Sequence, residues 1–89
     1  MTRNIVTGID VGTHTVRVLV GEYLTGHRYP KVLALVAKDS RGLRHGYVAN
    51  PDEVSASVGE ALSAAENMAK LKLKRAYLAI GGVTLESRI

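Results

Sequence analysis

The 89-residue sequence contains no cysteine, tryptophan or phenylalanine. Without cysteine this stretch can form neither disulfide bonds nor thiolate metal sites, a composition that fits a cytosolic protein. Tyrosine supplies all of the aromatic residues, 4% of the chain, so we predict an aliphatic core. Long apolar runs are also missing, because Thr7 and Asp10 interrupt the first one. We therefore predict neither a signal peptide nor a bilayer-spanning segment.

The charge balance is mildly basic, with a net charge of +4, and 46% of the residues are hydrophobic, as is typical of a globular chain. Two groups of basic residues stand out, one in a loop and one in the segment that follows a helix: Arg41, Arg44, His45, Lys70, Lys72, Lys74 and Arg75. Aromatic residues do not alternate with these cations, so we predict a solvated face and no nucleic-acid partner. A small module that binds an acidic partner through the basic loop stays open as an alternative.

Hydrophobic periodicity predicts an α/β chain of the order β-β-β-α-β. We expect strands at residues 4–10, 15–23, 31–38 and 75–80, and a mixed sheet that one helix covers. The alternating Val16, Val18 and Val20 share one face of the second strand. The nearly continuous apolar run at 31–38 predicts a strand buried on both sides, although one helix can cover only one face. Apolar residues on the second face, such as Leu19 and Leu35, would then favour self-association.

A helix at about residues 51–70 is predicted by its start signals. Asn50 is suited to the N-cap and Pro51 to the first helical position, and acids follow in the first turn. The buried stripe is expected at 3.6-residue spacing: Val54, Val58, Ala61, Leu62, Ala65 and Ala69. On the polar face, Glu66 precedes Lys70 by four residues, a spacing that favours an ion pair. Gly59 costs the helix about 1 kcal/mol relative to alanine, and a close approach to the sheet would explain its presence.

The end of the first strand, the turn and the start of the second strand form the motif Gly8-Ile9-Asp10-Val11-Gly12-Thr13-His14-Thr15. Backbone N–H groups in such a turn can form an anion-binding concavity, and Gly12 allows close approach of a phosphate. Asp10, at the end of the first strand, is suited to hold Mg²⁺ through water. Asp and Gly are also common in plain hairpin turns, so the motif alone does not separate the two interpretations.

The whole chain resembles the N-terminal part of FtsA, the actin-like bacterial cell-division family. The resemblance lies in the segments IVTGIDVGTHTVRVLVGE, SRGLRHGYVANPDEV, ALSAAENMAKLKL and RAYLAIGG. It implies a ribonuclease-H-like, actin-like half-subdomain over residues 1–82, and a start of the inserted SHS2-type subdomain at 83–89. It also implies that Asp10, Gly12, Thr13, His14 and Thr15 form the ATP phosphate loop, with Asp10 on Mg²⁺. His14 and Thr15 depart from the small residue and the lysine that are frequent in the family.

The resemblance further implies a function in assembly and tethering rather than catalysis, with no catalytic residue in this chain. The complete protein would bind ATP, self-associate and link the FtsZ ring to the membrane. Its location would be cytoplasmic, at the membrane of the division site, through a C-terminal helix outside these residues. Two alternatives share the architecture: a PilM-type pilus-assembly factor, and a phosphotransferase or ATPase of the sugar-kinase type.

Overall fold

The computed structural model describes residues 3–44, 47–80 and 83–88. The elements follow the chain in the order β1 (Ile5–Val11), β2 (Thr15–Glu22), β3 (Lys31–Asp39), β4 (Leu43–Arg44), β5 (Tyr47–Val48), α1 (Pro51–Ala69), β6 (Arg75–Ile80) and β7 (Val83–Arg88). Five of the strands form one sheet in the order β3-β2-β1-β6-β7. Strand β1 is antiparallel to β2 and parallel to β6, so the sheet is mixed.

The α/β prediction of a mixed sheet and one helix is confirmed, and the four predicted strands agree with the structure to within one residue. Two strand pairings were not predicted. A short antiparallel hairpin of β4 and β5 lies in the segment interpreted as a polar loop. The backbone of β7 pairs antiparallel with β6 and so extends the same sheet. The assignment of residues 83–89 to a second subdomain stays a prediction, as does the actin-like fold.

The core lies between α1 and one face of the sheet, and its side chains are aliphatic as predicted. The β2 valines Val16, Val18 and Val20 have no exposed surface. They pack with Ile9 and Val11 of β1 and with buried residues of the other elements: Ala34, Val36, Leu43, Val54, Ala61, Ala65, Leu73 and Ala76. Every second residue of β2 points to this layer. The alternating valines therefore determine which face of the β1–β2 hairpin packs against α1.

Burial of β3 on both sides is contradicted by the structure. Its side chains Leu35 and Val32 are 62% and 58% exposed. Strand β3 is an edge strand, and α1 covers only the opposite face of the sheet. A continuous apolar run predicts two-sided burial only where a second layer covers the other face. The described residues supply no such layer.

Helix α1 begins as predicted. Asn50 is the N-cap, its side-chain oxygen accepts a hydrogen bond from Glu53 N–H at 3.2 Å, and Pro51 opens the helix. Of the predicted stripe, Val54, Ala61 and Ala65 are buried, and the other three residues pack partly against the core. A further member of the buried face, Ser57, was not predicted.

The end of α1 differs from its prediction. Glu66 does not pair with Lys70, which adopts the left-handed conformation at the C-cap. The Glu66 carboxylate instead accepts a hydrogen bond from Leu73 N–H at 2.8 Å. Gly59 is exposed, and a Cβ there would meet no atom within 4 Å. Close approach to the sheet is therefore not the reason for this glycine.

Candidate functional site

The turn between β1 and β2, residues 12–14, is fixed by two backbone hydrogen bonds. Gly12 N–H donates to Thr15 C=O at 2.9 Å, and Ser40 N–H donates to His14 C=O at 3.0 Å. A Cβ on Gly12 would lie 3.2 Å from the Thr15 oxygen, which favours glycine at this position. The φ angle of Gly12 is not in the left-handed region, so the requirement is for space rather than for an unusual backbone conformation.

The predicted anion cradle has fewer available donors than expected, because Gly12 N–H is bonded within the turn. Thr13 and His14 are exposed, and their N–H groups find no acceptor among the described residues. Thr15 is half-buried at the start of β2. The turn can therefore offer two backbone donors to an anion, next to side chains that are open to solvent.

Asp10 lies on the open face of the sheet, opposite the face that α1 covers, and is exposed. Its Cα partners are Arg17 in β2 and Ala79 in β6. In the described part of the chain, Asp10 forms no ion pair, with Arg17 or any other residue. The carboxylate is consequently available to a cation beside the turn.

A short connection joins the turn to α1. Ser40 bonds to the turn through its backbone, and the next residue, Arg41, donates its N–H to the buried Ser57 Oγ at 3.1 Å. The Arg41 guanidinium donates to Glu60 at 2.9 Å, and this hydrogen bond raises the pKa of Arg41 above its ordinary value. The connection between β3 and α1 therefore holds the turn against the helix.

Sequence reasoning placed Asp10 and residues 12–15 correctly at one end of the sheet, but it missed two neighbours. Arg17 lies on the same face of the sheet as Asp10. In the sequence it could have been recognised as a cation between alternating apolar residues. Ser40 has a buried Oγ with no hydrogen-bond partner among the described residues. Ser40 begins one of the FtsA-like segments, but no local pattern places it at the turn, because its contact with His14 joins residues distant in sequence.

Arg41, part of the basic loop considered as a site for an acidic partner, is paired with Glu60. His45, the third member of that loop, lies outside the described residues. No group of three or more His, Asp or Glu side chains within the described ranges could hold a metal ion. Nor does the described part of the chain contain a helix long and apolar enough to cross a membrane.

The fold and the site thus define an α/β structure in which an exposed acidic residue lies beside a turn that contains glycine. The chain is similar to cell division protein FtsA of Pseudomonas aeruginosa, with 33% identity over 82 residues, 92% of this chain and 19% of that protein. FtsA of Escherichia coli K12 is 34% identical over 80 residues, 90% of this chain and 19% of that protein. FtsA of Streptococcus pneumoniae is 30% identical over 80 residues, 90% of this chain and 17% of that protein.

The predicted resemblance to FtsA is confirmed by these matches, which include nearly the whole chain. The chain spans about a fifth of the length of the curated relatives it matches. No protein-family model matches the sequence. The PilM-type alternative is not tested by these similarities.

Proposed function

We propose that this chain is part of a cell-division protein of FtsA type, an ATP-binding, actin-like protein that assembles at the division site and tethers the FtsZ ring to the membrane. The similarity to FtsA proteins over about nine tenths of the chain is the observation that supports this proposal. The remaining walls of the nucleotide cleft, the FtsZ-binding surface and the membrane helix would belong to other parts of the complete protein. The role is assembly and tethering, with no catalytic residue in this chain.

Within that protein, the turn forms one wall of the Mg·ATP site. The N–H groups of Thr13 and His14 donate to phosphate oxygens, and Gly12 keeps the backbone free of a side chain at this point. Thr15 positions the turn through its hydrogen bond with Gly12. The exposed carboxylate of Asp10 fits Mg²⁺, which is commonly held by one or two carboxylates together with substrate phosphates and water.

A bound cation decides whether the Asp10 carboxylate favours or opposes binding of the nucleotide phosphates. A carboxylate beside a triphosphate is repelled, whereas bound Mg²⁺ supplies the largest local charge and makes the carboxylate favourable. Asp10→Ala in the complete protein is therefore expected to weaken Mg·ATP binding about 10- to 100-fold, the usual effect of losing an outer-sphere partner of a metal. Nucleotide-dependent self-assembly should weaken with it, while circular dichroism stays near wild type.

Asp52→Ala provides the matched control, because Asp52 is also an exposed carboxylate but lies in the first turn of α1. It should leave the ATP affinity unchanged in isothermal titration calorimetry. The 89-residue chain alone should bind ATP negligibly, since it supplies only one wall of the site. Unchanged affinity in Asp10→Ala, or tight ATP binding by the isolated chain, would remove the role assigned to this turn.

A further inference from the structure

The fold collects cations at the end of the sheet opposite the turn. Strands β1, β3 and β6 begin at this end, and β2 and α1 finish there. Seven exposed Lys and Arg residues from separate parts of the chain consequently lie together, and we call them the basic end: Arg3, Arg28, Lys31, Lys70, Lys72, Lys74 and Arg75. Sequence reasoning had interpreted the 70–75 cations as an ordinary solvated face.

Two described carboxylates lie at the basic end, and both are already engaged. Glu22 accepts two hydrogen bonds from the Arg3 guanidinium, at 2.9 and 2.8 Å. The Glu66 carboxylate accepts from Leu73 N–H at 2.8 Å. Arg3 is paired with Glu22 and Arg75 makes an interaction of its own, but the other five cations still leave an excess of positive charge on this surface, which attracts an anionic partner.

Apolar side chains are exposed at the same end. Tyr29 is 75% exposed, in the loop that joins β2 to β3. Tyr23, Leu24, Val32 and Met68, which lie in or next to the elements that meet there, are each more than a third exposed. Tyrosine and short apolar side chains between lysines and arginines form the composition that binds at the headgroup level of a bilayer.

We propose that the basic end binds the surface of an anionic lipid bilayer. The cations come from the residue before β1, the β2–β3 loop, the start of β3 and the segment from the end of α1 to the start of β6, and so spread across the end of the sheet. Cations spread in this way can contact many lipid phosphates at once, and the exposed apolar side chains between them favour a bilayer over a purely acidic peptide. Lys and Arg near an anionic leaflet each strengthen binding.

This contact is separate from the proposed nucleotide site and does not depend on it. The length of β1, Ile5–Val11, puts the two ends of the sheet about 20 Å apart at about 3.3 Å per residue. That separation exceeds the screening length of about 8 Å at physiological salt, so charge changes at one end should not alter binding at the other. In the proposed FtsA-type protein, the basic end would add a second membrane contact to the C-terminal helix.

The test is partition of the 89-residue chain onto vesicles of phosphatidylcholine, with and without phosphatidylglycerol. Lys72→Glu/Lys74→Glu is compared with Lys38→Glu/Arg44→Glu, which makes the same change in net charge at the turn end. Wild type should bind only the anionic vesicles and lose binding as salt rises. The Lys72/Lys74 variant should bind about 30-fold or more weakly, and the control should bind nearly as well as wild type.

A fluorescent reporter tests contact between the basic end and the bilayer without any change of charge. The chain has no tryptophan, so Tyr29→Trp introduces a single one at an exposed position of the basic end. Its emission should shift to shorter wavelength with anionic vesicles only. Equal loss of binding in the two charge variants, as for an unfolded polycation, would overturn the proposal. So would an unshifted tryptophan spectrum in the Tyr29→Trp variant, or saturable binding to polyglutamate with none to the vesicles.

Discussion

Gly42 lies between β3 and α1, where the backbone is left-handed and crowded at once. Its φ angle is +87°, a conformation that costs an alanine about 1–2 kcal/mol. A Cβ at this position would also clash with the Asn50 backbone oxygen, and would lie 2.9 Å from both the Glu53 Cβ and the Val54 nitrogen. Overpacking of this kind costs about 1–3 kcal/mol. Gly42→Ala should therefore destabilise the fold by about 2–5 kcal/mol.

A matched variant separates the two contributions. Gly26 has a similar φ angle of +81°, but a Cβ there would meet nothing within 4 Å. Gly26→Ala should lose only the conformational part, about 1–2 kcal/mol. Both changes stiffen the unfolded chain equally, so this effect cancels between them. The difference, about 1–3 kcal/mol, measures the crowding around Gly42.

The assay is urea unfolding followed by far-ultraviolet circular dichroism. All variants are made in a Gly59→Ala background, because this exposed helical glycine has open space around it and alanine should stabilise the helix by about 0.5–1 kcal/mol. Gly42 C=O accepts hydrogen bonds from Ala49 and Asn50 N–H, at 2.7 and 2.9 Å. A displaced Gly42 would therefore disturb the start of α1 too. Equal losses for Gly42→Ala and Gly26→Ala would refute the crowding argument.

Three further perturbations address the cap, the pH response and the open face. Asn50→Ala removes the acceptor for Glu53 N–H and should lower the stability measured by thermal unfolding by about 1 kcal/mol. Asn50→Asp retains a side-chain acceptor and should keep most of that stability. The hydrogen bond from Arg3 holds the pKa of Glu22 below its ordinary value of 4.5. The pair therefore stabilises the fold above that pH and loses its contribution as pH falls through the lowered pKa. Wild type and Glu22→Gln should differ in urea stability at pH 7 and converge in stronger acid; a constant difference would contradict this. The isolated chain should be of low stability and self-associate, and Leu35→Lys should reduce that association in sedimentation velocity; a chain that is monomeric at high concentration with a high unfolding midpoint would count against it.

The elements of this fold could be predicted because their signals are local. Asn50 and Pro51 define the start of α1 within one turn of backbone. The alternation of Val16, Val18 and Val20 depends only on the pleat of β2. For the same reason, the Asp10 motif located the end of the sheet at which the candidate site lies.

The contacts that could not be predicted join residues far apart in sequence or depend on the exact turn. Glu66 had a good local partner in Lys70, but the left-handed C-cap brings Leu73 N–H to its carboxylate. The N–H groups of the turn were expected to face an anion, and the turn conformation uses the N–H of Gly12 for a hydrogen bond to Thr15 instead. The exposure of Leu35 follows from which face α1 covers, and the apolar run at 31–38 contains no information on that choice.

Two neighbouring rows on the open face of the sheet differ in the polarity of their side chains. Tyr77, Gly8, Leu19 and Leu35 align across the strands in one row, and their large side chains are exposed and apolar. The next row towards the turn aligns Ala79, Asp10, Arg17 and Ala37.

A protein layer over the first row would bury apolar surface favourably, at about 25 cal/mol per Å². The same layer extended over the second row would desolvate Asp10 and Arg17, which costs several kcal/mol per ion. Any covering layer should therefore stop between the two rows. The Asp10 carboxylate is then left at the edge of that layer, open to water and to a cation, as the proposed Mg·ATP site requires.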